Sequence, residues 1–484
     1  MDYRLSLIFT LPELILTASS LILLLVAAWG GAKSSRLITI LSVLALFGAS
    51  AFAFDFLLNP SFEAGGDAFD GLYRMDAFGS FSKLLIYLAA IISLIVTPRF
   101  FTNRGEYRAE YPVLILLATV GMGMMVSSVD MMTLYVGLEL NSLASYVLAS
   151  FIRNDVRSSE AGLKYFVLGS LASGMLLFGI SLVYGFAGST NFSIIADGLT
   201  GQLSTGPLIG VVLVLAGLAF KISAVPFHMW TPDVYEGAPT PVTMFFSSAP
   251  KVAAVALTGR VVIDAFGDQT STWQQIIVFT ALASIIFGAV AAIGQQNIKR
   301  LLAYSSINNV GFMLIGLAAG TAMGISSMLF YLLIYVLTTL GSFICVLEMR
   351  DAEGKQLESL SSLAGLSQTR PGLAAGMAVF MFSLAGIPPL FGFWGKFLVF
   401  EAAVAAGMLP LAVIGIAASV IGAYYYIKVV KIMYFDDPAD QIVRTGHKSE
   451  NALIALLALS VSPLGYLAIP FLAPVTATAA QALF

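Results

Sequence analysis

The sequence predicts an all-α polytopic membrane protein of about 14 transmembrane helices with two inverted five-helix repeats, each holding a proline-broken helix. Three observations predict it. The 484 residues are 58% hydrophobic and only 11% charged, with a mean hydropathy of +0.91, whereas soluble domains carry roughly 25% charged residues. Apolar stretches close to the roughly 20 residues that cross a bilayer recur along the whole chain. Lysine and arginine fall in alternate loops: Lys33 and Arg36, then Arg99, Arg104 and Arg108, then Arg153 and Arg157, then Lys299 and Arg300, then Arg350, Lys355 and Arg370, then Arg444 and Lys448. The intervening loops carry almost none, and Arg74 is outnumbered by Glu63, Asp67, Asp70 and Asp76. By the positive-inside rule the odd loops are cytoplasmic and both termini face outward, which requires an even number of spans.

Taken in order, residues 1–109 read as a three-helix segment. The start, Met1-Asp2-Tyr3-Arg4, lacks the basic region and cleavage site of a signal peptide, so the first span is expected to be retained. Residues 110–265 read as a first repeat (helices 4–8), 273–435 as a second (helices 9–13), and 436–484 as a closing helix. The repeat length comes from the two broken spans. One reads Phe220-Lys221-Ile222-Ser223-Ala224-Val225-Pro226, the other Leu384-Ala385-Gly386-Ile387-Pro388-Pro389-Leu390, and Pro388 lies 162 residues after Pro226. The same step carries the fourth span onto the ninth. Five helices is an odd number, so the second copy enters from the opposite face, although a chance alignment of apolar helices stays open.

Composition also excludes chemistry. Cys345 is the lone cysteine and His228 and His447 are the two histidines, so neither a disulfide nor a clustered metal site is expected. No glycine-rich phosphate loop is present. What remains is a set of ionisable residues at membrane depth, where a charge is costly and is kept mostly for function. Glu139 lies mid-span and either serves a relay or caps Asn141 or Ser142. Lys164 either snorkels to the interface or pairs with Glu139. Lys221 precedes the first break, Lys251 follows Pro250 beside Ser247 and Ser248, and Lys396 lies beyond the second break. Unlike arginine, a lysine can lose its proton when buried and regain it beside an ionised glutamate, so this set suits proton relay. His228 either extends the relay or is satisfied by Asp233 or Glu236. Glu13, Lys83, Arg260, Glu401 and Lys428 lie near span ends and read as interface anchors.

At this point the residues resemble a known family. Lys221 through Pro241, Asn297-Ile298-Lys299-Arg300-Leu301-Leu302-Ala303-Tyr304-Ser305-Ser306 and Ser383 through Phe397 look like the signature of the antiporter-like subunits of respiratory complex I. The resemblance covers about residues 110 to 435. It implies 14 helices in two inverted repeats, and a proton path through Glu139, Lys164, Lys221, Lys251 and Lys396. It also implies that no cofactor sits on this chain, with NADH, FMN, iron–sulfur clusters and quinone held by partner subunits. The implied partners are the other membrane-arm subunits, neighbouring antiporter-like ones among them, and the lipid bilayer of a bacterial cytoplasmic (inner) membrane, with no nucleic acid. One branch is favoured by lysine rather than glutamate at Lys396, by Lys164, and by the lack of a long lateral helix after the last span. One departure stands out: the tenth span reads Ser306-Ile307-Asn308-Asn309 where relatives often place a histidine, so a water chain held by Asn309 is the expected central link. The rival readings are a subunit of a multisubunit cation–proton antiporter or membrane-bound hydrogenase, and a passive scaffold in which the charges only join helices.

Overall fold

The computed structural model describes residues 3–59, 65–439, 441–443 and 446–484. Glu63, Arg444 and the Met1-Asp2 start, which entered the charge and targeting readings, lie outside the described residues. The chain is mostly helical, and among the described residues eleven helical stretches are long and apolar enough to cross a membrane. One element departs from the all-α expectation. Gly66–Ala68 and Tyr73–Met75 pair as a small antiparallel hairpin, with Asp67 opposite Arg74 and an ion pair of 2.7 Å between them. Strands of three residues are too short to leave a periodic signal in the sequence.

The chain divides into two compact units. The first comprises Met1–Ile222, Ala249–Ile276 and Val475–Phe484, and the second Ser223–Ser248 and Ile277–Pro474. Two of these divisions fall at interruptions in helices. Thr205–Ile222 stops at Ser223, a non-glycine residue with φ of 64°, and helix resumes at Trp230. Likewise Thr240–Phe246 stops before Ser247 and Ser248, and Ala249–Arg260 begins anew with Pro250 in its first turn, where a missing N–H costs nothing.

In the first unit the helix Glu110–Ser127 is almost wholly buried, packed by Leu11–Gly30, Ala77–Thr102, Met131–Ala149 and Ala249–Arg260. Its glycines allow the close approach. A Cβ on Gly121 would stand 2.5 Å from the Gly137 carbonyl oxygen and 2.6 Å from the Asn141 nitrogen. Without a hydrophobic drive between helices in lipid, such small-residue contacts are how packing is gained. Side-chain caps start the helices: Asp130 accepts from the amides of Met132 and Thr133, and Asp155 from that of Arg157. At one end the even-numbered loops meet one another. Tyr73 bridges Ser128, Asp130 bridges Asn191, Asn191 donates to the Gly71 carbonyl and Gln269 to that of Leu199. At the other end Tyr107 of the third loop reaches Thr39 beside the first, and Ser158 donates to Ala149 across the fifth.

The second unit is built on the buried helices Ile298–Ala318 and Ala322–Leu347. Here too the odd loops meet. Lys299, 2% exposed, donates to the carbonyls of Glu236 and Ala238 at the C-terminal end of Trp230–Gly237, and pairs with Glu358 at 3.2 Å. Its neighbour Arg300 pairs with Asp233 at 2.7 Å and Glu236 at 3.0 Å. A cation at a helix C-terminus answers the negative end of the helix dipole. The helix Pro371–Ala385 ends on Gly386, whose φ of 79° is the left-handed geometry that glycine adopts freely. Helix resumes at Phe391–Ala405, where the Gly392 amide donates to Ser383.

Candidate functional site

Each unit buries lysines beside an interrupted helix. In the first, Lys221 lies in the last turn of Thr205–Ile222, 9% exposed, and its Nζ donates to Ser142 Oγ at 2.7 Å. Ser142 shares the helix Met131–Ala149 with Glu139, three residues earlier and within electrostatic reach of Lys221. The half-buried Glu139 has an inward oxygen, Oε1, with no hydrogen-bond partner among the described residues. Lys251, 1% exposed, donates from Nζ to the carbonyl of Ile222 at 2.9 Å. That carbonyl is the last of its helix, one of those that helix geometry leaves without an internal partner.

The second unit repeats the arrangement with a different lysine. Lys396 Nζ donates to the carbonyl of Ala385 at 3.0 Å, again the last residue of the helix before a break, and to Ser419 Oγ at 3.2 Å. It stands 4.4 Å from the centroid of the Phe312 ring. Gly386 makes the reach possible, since a Cβ there would lie 2.8 Å from Lys396 Cδ. A cavity of about 730 Å³ opens beside this lysine, lined by Ile387, Pro388, Phe397, Phe400 and Val420.

Asn309 holds together buried hydroxyls. Its Nδ2 donates to the Ser305 carbonyl at 2.7 Å and to Tyr426 at 3.1 Å, and its Oδ1 accepts from Tyr331 at 2.6 Å. Ser305 and Tyr426 are 2.5 Å apart. Hydroxyls donate and accept at once, so this string can pass a proton by rotation. Removing Asn309 strands the Tyr331 hydroxyl. Asn309→Leu is expected to lower stability by about 1–3 kcal/mol, the cost of an unsatisfied buried polar group, read as an earlier thermal aggregation midpoint in detergent.

The remaining candidates lie elsewhere. Lys164 is 42% exposed along its side chain and pairs at 2.8 Å with Glu160, one turn earlier on its own helix, a partner the sequence reading had not named. His228 has a buried Nδ1 with no hydrogen-bond partner among the described residues, and its ring stands edge-on to Phe287 at 4.5 Å. Asp233 and Glu236, the partners considered for it, hold Arg300. Among the described residues no group of three or more His, Cys, Asp or Glu could hold a metal ion.

Three residues read as interface anchors are buried ion-pair partners instead. Arg260 is fully buried and binds both oxygens of Asp76, at 2.8 and 2.7 Å. Lys83 pairs with Glu13 at 2.7 Å, both nearly inaccessible. Their partners lie 184 and 70 residues away, so no local spacing could announce them. Lys428 is partly buried and donates to the Ile293 carbonyl, while Glu401 is exposed at the rim of the cavity beside Lys396.

The chain matches the family described as NADH:quinone oxidoreductase/Mrp antiporter, TM, over residues 128–422. The NADH-quinone oxidoreductase subunit N of Rhizorhabdus wittichii is 63% identical, with each chain covered in full. The chain belongs to the subunit N family. The subunit N of Sphingopyxis alaskensis is 62% identical over 98% of both chains. A chain of respiratory complex I from Thermus thermophilus, solved with bound aureothin, superposes with a TM-score of 0.81 at 32% identity, covering 95% of this chain and 98% of that one. A chain of the Mrp complex from Dietzia sp. shares the fold, with a TM-score of 0.83 at 23% identity over 99% and 97% of the two chains. Both broken helices of this subunit N family member fall inside the matched region, as do all the buried lysines that cap them.

Proposed function

We propose that this chain translocates protons as a membrane-arm subunit of an NADH–quinone oxidoreductase, driven by electron transfer on partner subunits. The observation that carries the reading is the repeated pairing of a buried lysine with the last carbonyl of an interrupted helix, Lys251 with Ile222 and Lys396 with Ala385. Two relatives named as subunits of such an enzyme, each above 60% identity, support it. In this reading 14 crossings form two inverted five-helix repeats, residues 110–265 and 273–435, after a three-helix segment and before a closing helix. The meeting of like-numbered loops within each unit favours such an alternation. Both termini face the periplasm of a bacterial inner membrane.

Glu139 acts as the switch. Its negative charge stabilises the ammonium of Lys221, and moving that charge away releases the proton. The proton then passes toward Lys251, through the hydroxyl string held by Asn309, and to Lys396. Lys164, on an exposed face, modulates the first step from the side, and His228 supplies an inlet. NADH, FMN, iron–sulfur clusters and quinone belong to partner chains, with neighbouring antiporter-like subunits alongside.

Lys221→Ala in the intact complex tests the reading, with NADH oxidation and proton uptake recorded in inverted vesicles and assembly checked on a native gel. The expected result is an assembled complex in which proton uptake falls severely. Normal oxidation and uptake in an assembled variant returns the chain to a passive scaffold.

A further inference from the structure

A buried glutamate–lysine ion pair lies in the first unit, outside the residues matched to the family. Lys83 Nζ pairs with Glu13 Oε1 at 2.7 Å and donates to the Tyr73 hydroxyl, which donates in turn to Glu13 Oε2 at 2.8 Å. Lys83 is 3% exposed, Tyr73 4% and Glu13 7%.

The level of this triad follows from two glycines on the helix Glu110–Ser127. A Cβ on Gly123 would stand 2.5 Å from Glu13 Oε1, and one on Gly121 would stand 2.5 Å from the Gly137 carbonyl of the helix that carries Glu139. Two residues of a helix are about 3 Å apart along its axis and point to opposite sides. Glu13 therefore sits across one helix from the Glu139 helix, about one turn nearer the even-loop end than Glu139.

Two buried polar groups lie beside the triad. The Tyr87 hydroxyl, one turn beyond Lys83 on the same helix, is fully buried, lies within reach of the Glu13 charge, and is unpartnered among the described residues. Ser127 Oγ is buried on the side toward the loops, in hydrogen-bonding reach of the Tyr73 hydroxyl. Buried polar atoms are nearly always satisfied, so the Tyr87 hydroxyl marks a place where water can bridge to the triad.

Beyond Ser127 the carboxylates step outward. The space over Gly79 is bounded by Ser127 Oγ and Asp76 Oδ1, at 2.9 and 3.2 Å from its ideal Cβ. Asp76 is held by Arg260 at 2.7 Å, Arg260 holds Asp264 at 3.3 Å, and Asp264 lies 3.9 Å from Arg74, which pairs with Asp67. Side-chain exposure rises along the carboxylates from 3% at Asp76 through 11% at Asp264 to 46% at Asp67.

We propose that Glu13, Tyr73 and Lys83 form a proton-exchange site that opens through Asp76 and Asp264 to the even-loop face, giving the first unit its own outer half-path. The inference rests on the proton-translocating reading above. In the exchange the Lys83 ammonium gives a proton to the Tyr73 oxygen while the Tyr73 O–H proton passes to Glu13. One proton moves, the hydroxyl is regenerated, and total charge is unchanged. Loss of the carboxyl proton to water near Ser127, and return of one to Lys83 from the Tyr87 side, completes the cycle.

Lys83→Arg separates this from a structural strut, because arginine keeps the charge and the ion pair yet does not release a proton. Tyr73→Phe removes only the hydroxyl and leaves the ring packed on Phe9, Phe56 and Met75. Both are measured in the intact complex in inverted vesicles, beside Lys221→Ala. The expected result is normal assembly with a marked loss in protons taken up per NADH oxidised. If both variants assemble and keep that ratio, the triad is a strut and the inference falls. If Lys83→Arg does not assemble, Tyr73→Phe alone decides, and its failure to assemble also overturns the inference. A defect in Lys221→Ala with silent Lys83 and Tyr73 variants leaves the relay standing without this half-path, whereas a silent Lys221→Ala removes the relay itself.

Discussion

Replacing Lys251 by methionine is expected to cut proton uptake by about tenfold or more in an assembled complex, Lys396→Met to do the same, and the double variant to be no worse than either. The size follows from removing a positioned proton carrier, which typically contributes 10²–10⁴-fold to a transfer step. Methionine nearly matches the lysine stem in volume, so packing survives. Exchanging a buried charge for an apolar group is often neutral for the fold. What disappears is the ammonium on the Ile222 carbonyl in one unit and on the Ala385 carbonyl in the other.

The double variant carries the sharper information. Groups that act in series are each obligatory, so their losses do not add. If the two units instead moved protons independently, each single variant would retain part of the uptake and the double would lose the remainder. Proton uptake and NADH oxidation in inverted vesicles, normalised to complex seen on a native gel, separate the cases. Two half-losses that sum to a complete one would sink the serial path.

The helical breaks were legible because proline, glycine and lysine in an apolar run conflict with an undisturbed buried helix. Pro226, Gly386 and Pro388 announce that conflict locally. The clustering of lysine and arginine in alternate loops is read from charge alone. The partners of the buried charges were not. Arg260 looks like an interface anchor until Asp76 is brought to it from five spans away, and Glu13 and Lys83 look like separate span ends until Tyr73 joins them. Periodicity reports which face of a helix is apolar, not which distant helix supplies a counter-ion. The hydroxyl string had a faint signal, since Tyr331 and Tyr335 sit one turn apart within the apolar run 328–337 of their helix. Their bonds to Asn309 and Ser306 depend on packing that spacing does not encode.

Arg260→Ala is expected to be the most destabilising single change discussed, about 3–5 kcal/mol, the cost of leaving one charge of a buried pair alone. Whole-domain stabilities are about 5–15 kcal/mol, so this variant should assemble poorly and aggregate early on heating in detergent. The guanidinium binds both oxygens of Asp76, the Val126 carbonyl at 3.0 Å and Asp264, and lies over the Phe78 ring at 5.1 Å. Asp76 also caps the helix Ala77–Thr102 through the Gly79 amide at 2.7 Å, so its stranded charge would disturb a span start. Lysine cannot replace the planar fork, and Arg260→Lys should recover little. Asp76→Asn keeps a good helix cap while discarding the charge. The pair Asp76→Asn with Arg260→Met should therefore restore much of the lost midpoint. If that double variant is as unstable as Arg260→Ala, the side chain holds the fold through Val126 and Phe78 rather than by neutralising Asp76. If it recovers stability but loses protons per NADH, the Asp76–Arg260 step belongs to the outward path as well as to the fold.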